Sequence, residues 1–267
     1  LSFWPFWQKK GVAVMLEVRN LCAGYQGKEV LHRITASFAP GEITGILGPN
    51  GCGKSTLLKV IAGLQKPTSG QVLLDGQSLM ELPPKKSAQK IAYLPQSRNV
   101  PEISALRMVL HGRFCYLSYP RRYRAQDYEA ARQALAWIGA SDLADQSVSE
   151  LSGGQRQKIY IAMALAQNAD TILMDEPTTY LDIKNQLEVM EMAHRLAALG
   201  KAVVMVVHDL NAVLQHADHV FLLANGMVTA AGTPDQVFES GKLQQVFGVR
   251  VQALATPEGK QYYCLPI

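Results

Sequence analysis

The chain has 267 residues, 48% of them hydrophobic, and a formal net charge of +4; that is enough for a sizeable core in one large domain or two small ones. No uninterrupted apolar run approaches the roughly 20 residues of a membrane-spanning helix. Four widely spaced cysteines (Cys22, Cys52, Cys115, Cys264) with no Cys-x-x-Cys pair argue against a disulfide framework or a zinc site and fit a reducing cytoplasm, and the modest charge gives no case for a nucleic-acid partner.

Residues 1–14 carry Phe3, Trp4, Phe6 and Trp7 ahead of Lys9 and Lys10, an arrangement too short and irregular for a secretory signal. They read as an extension, with Met15 as the natural start and an aromatic membrane-surface anchor as the alternative. Residues 15–47 are β-rich: Leu16–Val18, Val30–Phe38 and Glu42–Leu47, punctuated by Gly24, Gly27 and Pro40-Gly41.

The strand ending at Leu47 runs into Gly48-Pro49-Asn50-Gly51-Cys52-Gly53-Lys54-Ser55-Thr56, with a helix expected over Thr56–Leu64. A glycine, four residues and then Gly-Lys-Ser between a strand and a helix is the phosphate-loop pattern. Gly48, Gly51 and Gly53 let backbone N–H groups turn inward around a polyphosphate at the positive end of a helix. Lys54 can reach its β- and γ-phosphates, and the Ser55 hydroxyl can ligate Mg²⁺. Cys52 reads as a small buried filler, with a reactive thiol as the alternative.

Two short strands follow, Gln71–Leu74 and Ile91–Leu94, and from about Ser104 to Gln167 the pattern is helical. Asp127–Ile138 places Ala130, Ala131, Ala134, Leu135 and Trp137 on one face. Val100, Ile103, Leu106, Arg107, Val109 and Arg113 interleave apolar and basic residues; some must form the helical subdomain's own core, and part of this surface is expected to receive a helix from a membrane subunit. Arg121, Arg122 and Arg124 read as a solvated loop.

Leu151-Ser152-Gly153-Gly154-Gln155 opens a long helix, with Ser152 as its N-cap and two glycines permitting close backbone approach. It is a second anion site, separate from the phosphate loop. Beyond it the chain alternates: strand Thr171–Met174, helix Ile183–Leu199, strand Ala202–Val207, helix Leu210–His216, strand Val220–Leu223. Alternation of this kind implies a largely parallel, doubly wound α/β sheet. Ile172–Met174 leads into Asp175, placed to hold Mg²⁺, and Glu176, placed to polarise a water for attack on a γ-phosphate.

With these motifs in hand, the chain from Met15 onward resembles the ATPase subunits of ABC transporters. The resemblance implies a P-loop NTPase (RecA-like) core, an antiparallel β subdomain, an inserted helical subdomain over about 97–167 and a tail over about 226–267. It implies that Tyr25 stacks on adenine, a packing tyrosine being the alternative. Gln96 would sense Mg²⁺ and the attacking water, His208 would contact the γ-phosphate, and Asp182 would communicate across a dimer. Leu151–Gln155 of one copy would close over ATP held by the other.

Thr179-Tyr180 before Leu181-Asp182 is similar to importers of ferric siderophores; Lys158-Ile159-Tyr160 departs from that pattern. The implied protein is a peripheral subunit at the cytoplasmic face of the membrane. It would work as a pair with two permease subunits and a solute-binding protein, using ATP and Mg²⁺ to import an iron chelate. Cobalamin, haem or another metal chelate is the alternative cargo. A soluble ABC-type ATPase of DNA repair or translation would carry two cassettes or a long coiled-coil insertion, and neither is present. The five histidines other than His208 read as surface or core residues.

Overall fold

The computed structural model describes residues 16–96, 100–257 and 259–267; the proposed extension 1–14 lies outside them. In chain order the first half forms β1 (Leu16–Tyr25), β2 (Lys28–Phe38), β3 (Ile43–Leu47), α1 (Lys54–Ile61), β4 (Ser69–Leu74), β5 (Gln77–Ser78), α2 (Pro84–Lys90), β6 (Ile91–Leu94), α3 (Ala105–Leu110) and α4 (Ala125–Trp137). Then come α5 (Gly153–Gln167), β7 (Thr171–Asp175), α6 (Ile183–Ala198), β8 (Ala202–Val206), α7 (Leu210–His216), β9 (His219–Ala224), β10 (Met227–Gly232), α8 (Pro234–Glu239), α9 (Lys242–Phe247), β11 (Val249–Thr256) and β12 (Gly259–Pro266).

The central sheet has six strands in the order β10-β9-β3-β8-β7-β6. All neighbours in it are parallel except β10 against β9. Strands β3, β7 and β8 are buried at every residue, as expected for a sheet covered on both faces. Because side chains alternate along a strand, each contributes to two cores. Ile172 and Met174 pack with α3–α6, while Leu173 between them packs with α1 and the antiparallel sheet β2-β1-β4-β5.

α1 is shorter than the spacing suggested. It stops at Ile61, and Leu64, expected on its apolar face, lies beyond it and is 67% exposed. Gly63 at φ 71° turns the chain away there, in the left-handed region that glycine adopts without strain.

Helices α3, α4 and α5 pack together through small residues. Ala130, Ala131 and Ala134 of α4 and Ala162 and Ala166 of α5 are fully buried. Arg113 is 5% exposed, with its guanidinium 3.2 Å from Asp127 and donating to the Ala166 carbonyl at 2.9 Å. Arg113 and the fully buried Val109 therefore belong to the interior of this helical layer and drop out of the expected partner surface. Val100 and Arg107 remain exposed. In the arginine loop, Arg121 lies over the Phe114 ring at 4.9 Å, and the Arg124 backbone N–H donates to Asp127.

The segment read only as a tail is structured. β11 and β12 pair in register from Val249↔Pro266 to Thr256↔Gly259 and bury Val251 and Tyr262. The Tyr262 hydroxyl and Lys260 ammonium both donate to Asp235 Oδ1, at 2.7 and 2.6 Å.

Candidate functional site

The strand order β3-β8-β7-β6 decides the site. The phosphate loop leaves the carboxyl end of β3, His208 follows β8, Asp175 ends β7 with Glu176 next to it, and Gln96 follows β6. Residues far apart in sequence thus meet along one edge of a parallel sheet, the edge where open α/β sheets gather ligand-binding groups.

Glu176 is the meeting point. Its Oε1 lies 2.5 Å from His208 Nε2, its Oε2 accepts from Gln96 Nε2 and from Thr179 Oγ1 at 3.2 Å, and its backbone N–H donates to the Val206 carbonyl at 3.0 Å. The backbone of Glu176 sits at φ 52°. A non-glycine residue is held there only when its surroundings over-determine it, and these contacts from β8, β6 and the following turn do so.

Asp175 is 3% exposed and accepts from Ser55 Oγ at 3.0 Å and from the Tyr93 hydroxyl at 3.1 Å. Burial pushes its carboxyl above the usual carboxylate range, against the lowering effect of the two hydroxyl donors. A buried carboxylate beside a serine hydroxyl is the all-oxygen donor set that suits a hard divalent cation. Tyr93 and Thr179 are site residues that the sequence reading missed; the fold brings Tyr93 to Asp175 from 82 residues away, whereas Thr179 reaches Glu176 within the turn that follows β7.

In the phosphate loop Gly48 (φ 155°) could not carry a side chain, since a Cβ would lie 2.3 Å from the Leu223 carbonyl oxygen. Lys54, 5% exposed, donates to the carbonyls of Gly48 and Pro49 at 2.7 and 2.9 Å. α1 begins at Gly53 with no side-chain cap and no acidic residue in its first turn. Its positive end is left for an anion. Burial raises the Cys52 thiol pKa despite nearby Lys54, which favours the filler reading over a reactive nucleophile.

Beside the loop lies a cavity of about 520 Å³ lined by Tyr25, Lys28, Val30, Asn50 and Cys52 among others. Tyr25 is 48% exposed, and its hydroxyl accepts from Thr56 Oγ1 at 3.5 Å. It ends β1 at a two-residue turn in which Gln26 and Gly27 both have positive φ, the geometry that a tight hairpin requires.

Ser152 caps α5 reciprocally with Gln155, at 3.3 and 3.0 Å. Among the described residues no hydrogen bond joins Leu151–Gln155 to the phosphate loop; the segment sits instead against the start of α6. A Cβ on Gly154 would lie 2.0 Å from Asn185 Oδ1, and Asn185 donates twice to Asp182, the N-cap of α6. Asp182 is thus tied, through Asn185, to the glycine turn that opens α5.

The chain matches the ABC transporter family over residues 31–179. It is 38% identical over 253 residues to the petrobactin import ATP-binding protein FpuD of Bacillus anthracis, covering 94% of this chain and 93% of the relative. It is 37% identical over 244 residues to the ferric enterobactin transport ATP-binding protein FepC of Escherichia coli, covering 91% and 90%. With the hemin import ATP-binding protein HmuV of Pseudomonas aeruginosa it shares 38% over 250 residues, 91% and 96%. Among solved structures it resembles a metal-chelate type ABC transporter in an inward-facing conformation, with TM-score 0.83, 31% identity and coverage of 96% and 98%. It also resembles the ADP conformation of the ATP-binding cassette MJ1267, with TM-score 0.79, 26% identity and coverage of 89% and 98%. With a phosphate loop, a buried Asp175 and a Glu176–His208–Gln96 cluster at the strand ends of the same sheet, the chain belongs to the ATP-binding subunits of the ABC transporter family.

Proposed function

We propose that this chain is the ATP-hydrolysing subunit of an importer for iron chelates of the siderophore class, working as a pair on two membrane subunits supplied by a solute-binding protein. The observation that carries the reading is the convergence of Gln96, Asp175, Glu176 and His208 on the phosphate-loop edge of the sheet. The cargo class is supported by relatives whose names specify petrobactin and ferric enterobactin; haem is the cargo in the name of HmuV.

In this reading the loop amides, Lys54 and the N-terminus of α1 hold the triphosphate, and Tyr25 packs on the base. Ser55, Asp175 and Gln96 would hold Mg²⁺, which when bound neutralises charge on the β- and γ-oxygens. Glu176 takes the proton from the attacking water. His208 donates to the γ-phosphate, and Gln96 positions the carboxylate it already contacts. ATP closure draws Ser152–Gln155 of a second copy over the loop, with Asp182 linking that movement to the start of α6. The described residues contain no helix long and apolar enough to cross a membrane; in this reading the subunit attaches through its membrane partners. We place the helical subdomain at 97–167 and the C-terminal unit at 226–267.

Asp175 gives a check in the isolated subunit. Its folded pKa is raised, so without a cation stability falls as pH rises through the window between the ordinary Asp value and the raised one. Asp175→Asn removes the buried charge and keeps partners for Ser55 and Tyr93. The nucleotide-free variant should melt about 2–4 °C higher at neutral pH, the shift that ~1 kcal/mol gives at roughly this length. Its Mg²⁺-dependent ATPase should be lost. A lower melting temperature would show that Asp175 serves the fold rather than a cation.

The whole-transporter test uses vesicles containing this subunit and its membrane partners, supplied with ferric siderophore, haem or cobalamin on the binding protein. The siderophore should raise both ATP turnover and uptake more than the other two. Gln96→Ala should lower the uptake per ATP more than it lowers ATP affinity, because it severs the contact between Glu176 and the loop after β6. If the variant keeps the full substrate-stimulated increment and transport ratio, Gln96 is not the coupling element.

A further inference from the structure

On the face away from the phosphate loop, α6 and α7 lie against each other through two histidines. His194 Nε2 is 3.1 Å from His216 Nδ1, with ring centroids 5.3 Å apart and planes at 63°. The pair opens onto a surface groove of about 510 Å³ whose polar lining includes Lys158, Glu188, Glu191 and Arg195. Three of these are engaged. Lys158 lies 2.6 Å from Glu188, and Arg195 donates to the Trp137 carbonyl at 2.8 Å while stacking on its ring. Glu191, one turn before His194 on α6, is exposed.

We propose that His194 and His216 form a binding site for a borderline divalent cation of the nickel–copper–zinc class. Imidazole nitrogen suits these ions, whereas Mg²⁺ and Ca²⁺ prefer oxygen. With metal–nitrogen distances of about 2.0–2.1 Å, two ligands on one ion sit about 2.9 Å apart at a right angle and about 3.4 Å apart in a tetrahedron. The observed 3.1 Å falls between the two. Among the described residues no group of three or more His, Cys, Asp or Glu could hold a metal ion, so water fills the remaining positions, with Glu191 within reach of the bound ion's field.

The proton inventory is consistent with such a site. As the rings stand, one nitrogen of the contact carries a proton and the other accepts it. Coordination needs both lone pairs, so that proton moves through solvent to the far nitrogen of its own ring. That shift within one ring releases no net proton. Burial, and then the neighbouring His194, hold the His216 pKa below the usual histidine value, against the raising effect of Glu191. The site is separate from the nucleotide site but shares its helices: Asp182 caps α6, and Asp209, one residue after His208, caps α7.

The test uses the full chain, nucleotide-free and stripped of metal, titrated with NiCl₂ or ZnCl₂ by calorimetry and by thermal melting. Wild type should bind with an upward melting shift that MgCl₂ does not reproduce. His194→Gln and His216→Gln each retain a polar, uncharged side chain at a surface position. Each should lower the affinity of one equivalent by about tenfold or more, since losing a ligand costs at least what losing a supporting partner does. Electron paramagnetic resonance of the wild type with one equivalent of Cu²⁺ should show two nitrogen ligands, falling to one in either variant. Binding unchanged by both substitutions, or a copper signal with the same nitrogen count in all three proteins, would overturn the proposal.

Discussion

Replacing Glu176 by Gln should lower ATP turnover by about 10²–10⁴-fold, the range that a positioned general base contributes, while ATP still binds. Glu176 Oε2 is the acceptor for Gln96 and Thr179, and Oε1 faces His208. The amide preserves size and most of this contact set but cannot accept a proton from water at neutral pH. Asp175, its neighbour in sequence, is a poor substitute, because its oxygens are committed to Ser55 and Tyr93. The measurement is paired: single-turnover hydrolysis and equilibrium binding of labelled ATP on the same variant. Because closure should no longer be followed by hydrolysis, the variant should also accumulate as an ATP-bound dimer, visible by light scattering. Turnover within a few-fold of wild type would remove Glu176 from the role of base.

Ser152→Arg should abolish turnover with little change in the ATP affinity of the separated subunit. Its phosphate loop is untouched, and the substitution falls on the Leu151–Gln155 turn, proposed above as the half of the site that a second copy supplies. Ser152 accepts from the Gln155 backbone N–H, and Gly154 lies against Asn185 with no room for a side chain. An arginine at the mouth of this turn obstructs the approach of a partner's phosphates. The sharper version mixes Ser152→Arg subunits with Lys54→Ala subunits. A mixed pair contains one composite site with both halves intact and one with both halves damaged. ATP-dependent closure that appears in the mixture and in neither parent is the expected result. Full activity from protein that stays monomeric at every concentration would exclude composite sites altogether.

Much of this molecule was legible before folding, because its chemistry is carried by short contiguous runs. Gly48–Thr56 needs only local backbone geometry to form an anion cradle, and Ser152 with Gln155 needs only a helix start to make its reciprocal cap. The alternation of apolar strands and amphipathic helices from Thr171 to Leu223 likewise set the parallel sheet, since buried strands and one-sided helices have few other ways to hide their apolar faces. Periodicity was a poorer guide to ends. Leu64 fits the helical spacing but lies past the glycine that turns the chain, and Val109 and Arg113, which look like a mixed surface stripe, are sealed inside by α4 and α5. The C-terminal hairpin gave no strong periodic signal; it is held by partners such as Asp235, 25–27 residues away in sequence. The tertiary structure alone decided which residues meet. Strand order placed Gln96 and His208 around the Glu176 carboxylate, brought Tyr93 to Asp175, and set His194 against His216. These contacts span 22 to 82 residues of sequence, and no local pattern encodes them: they follow from how whole strands and helices pack.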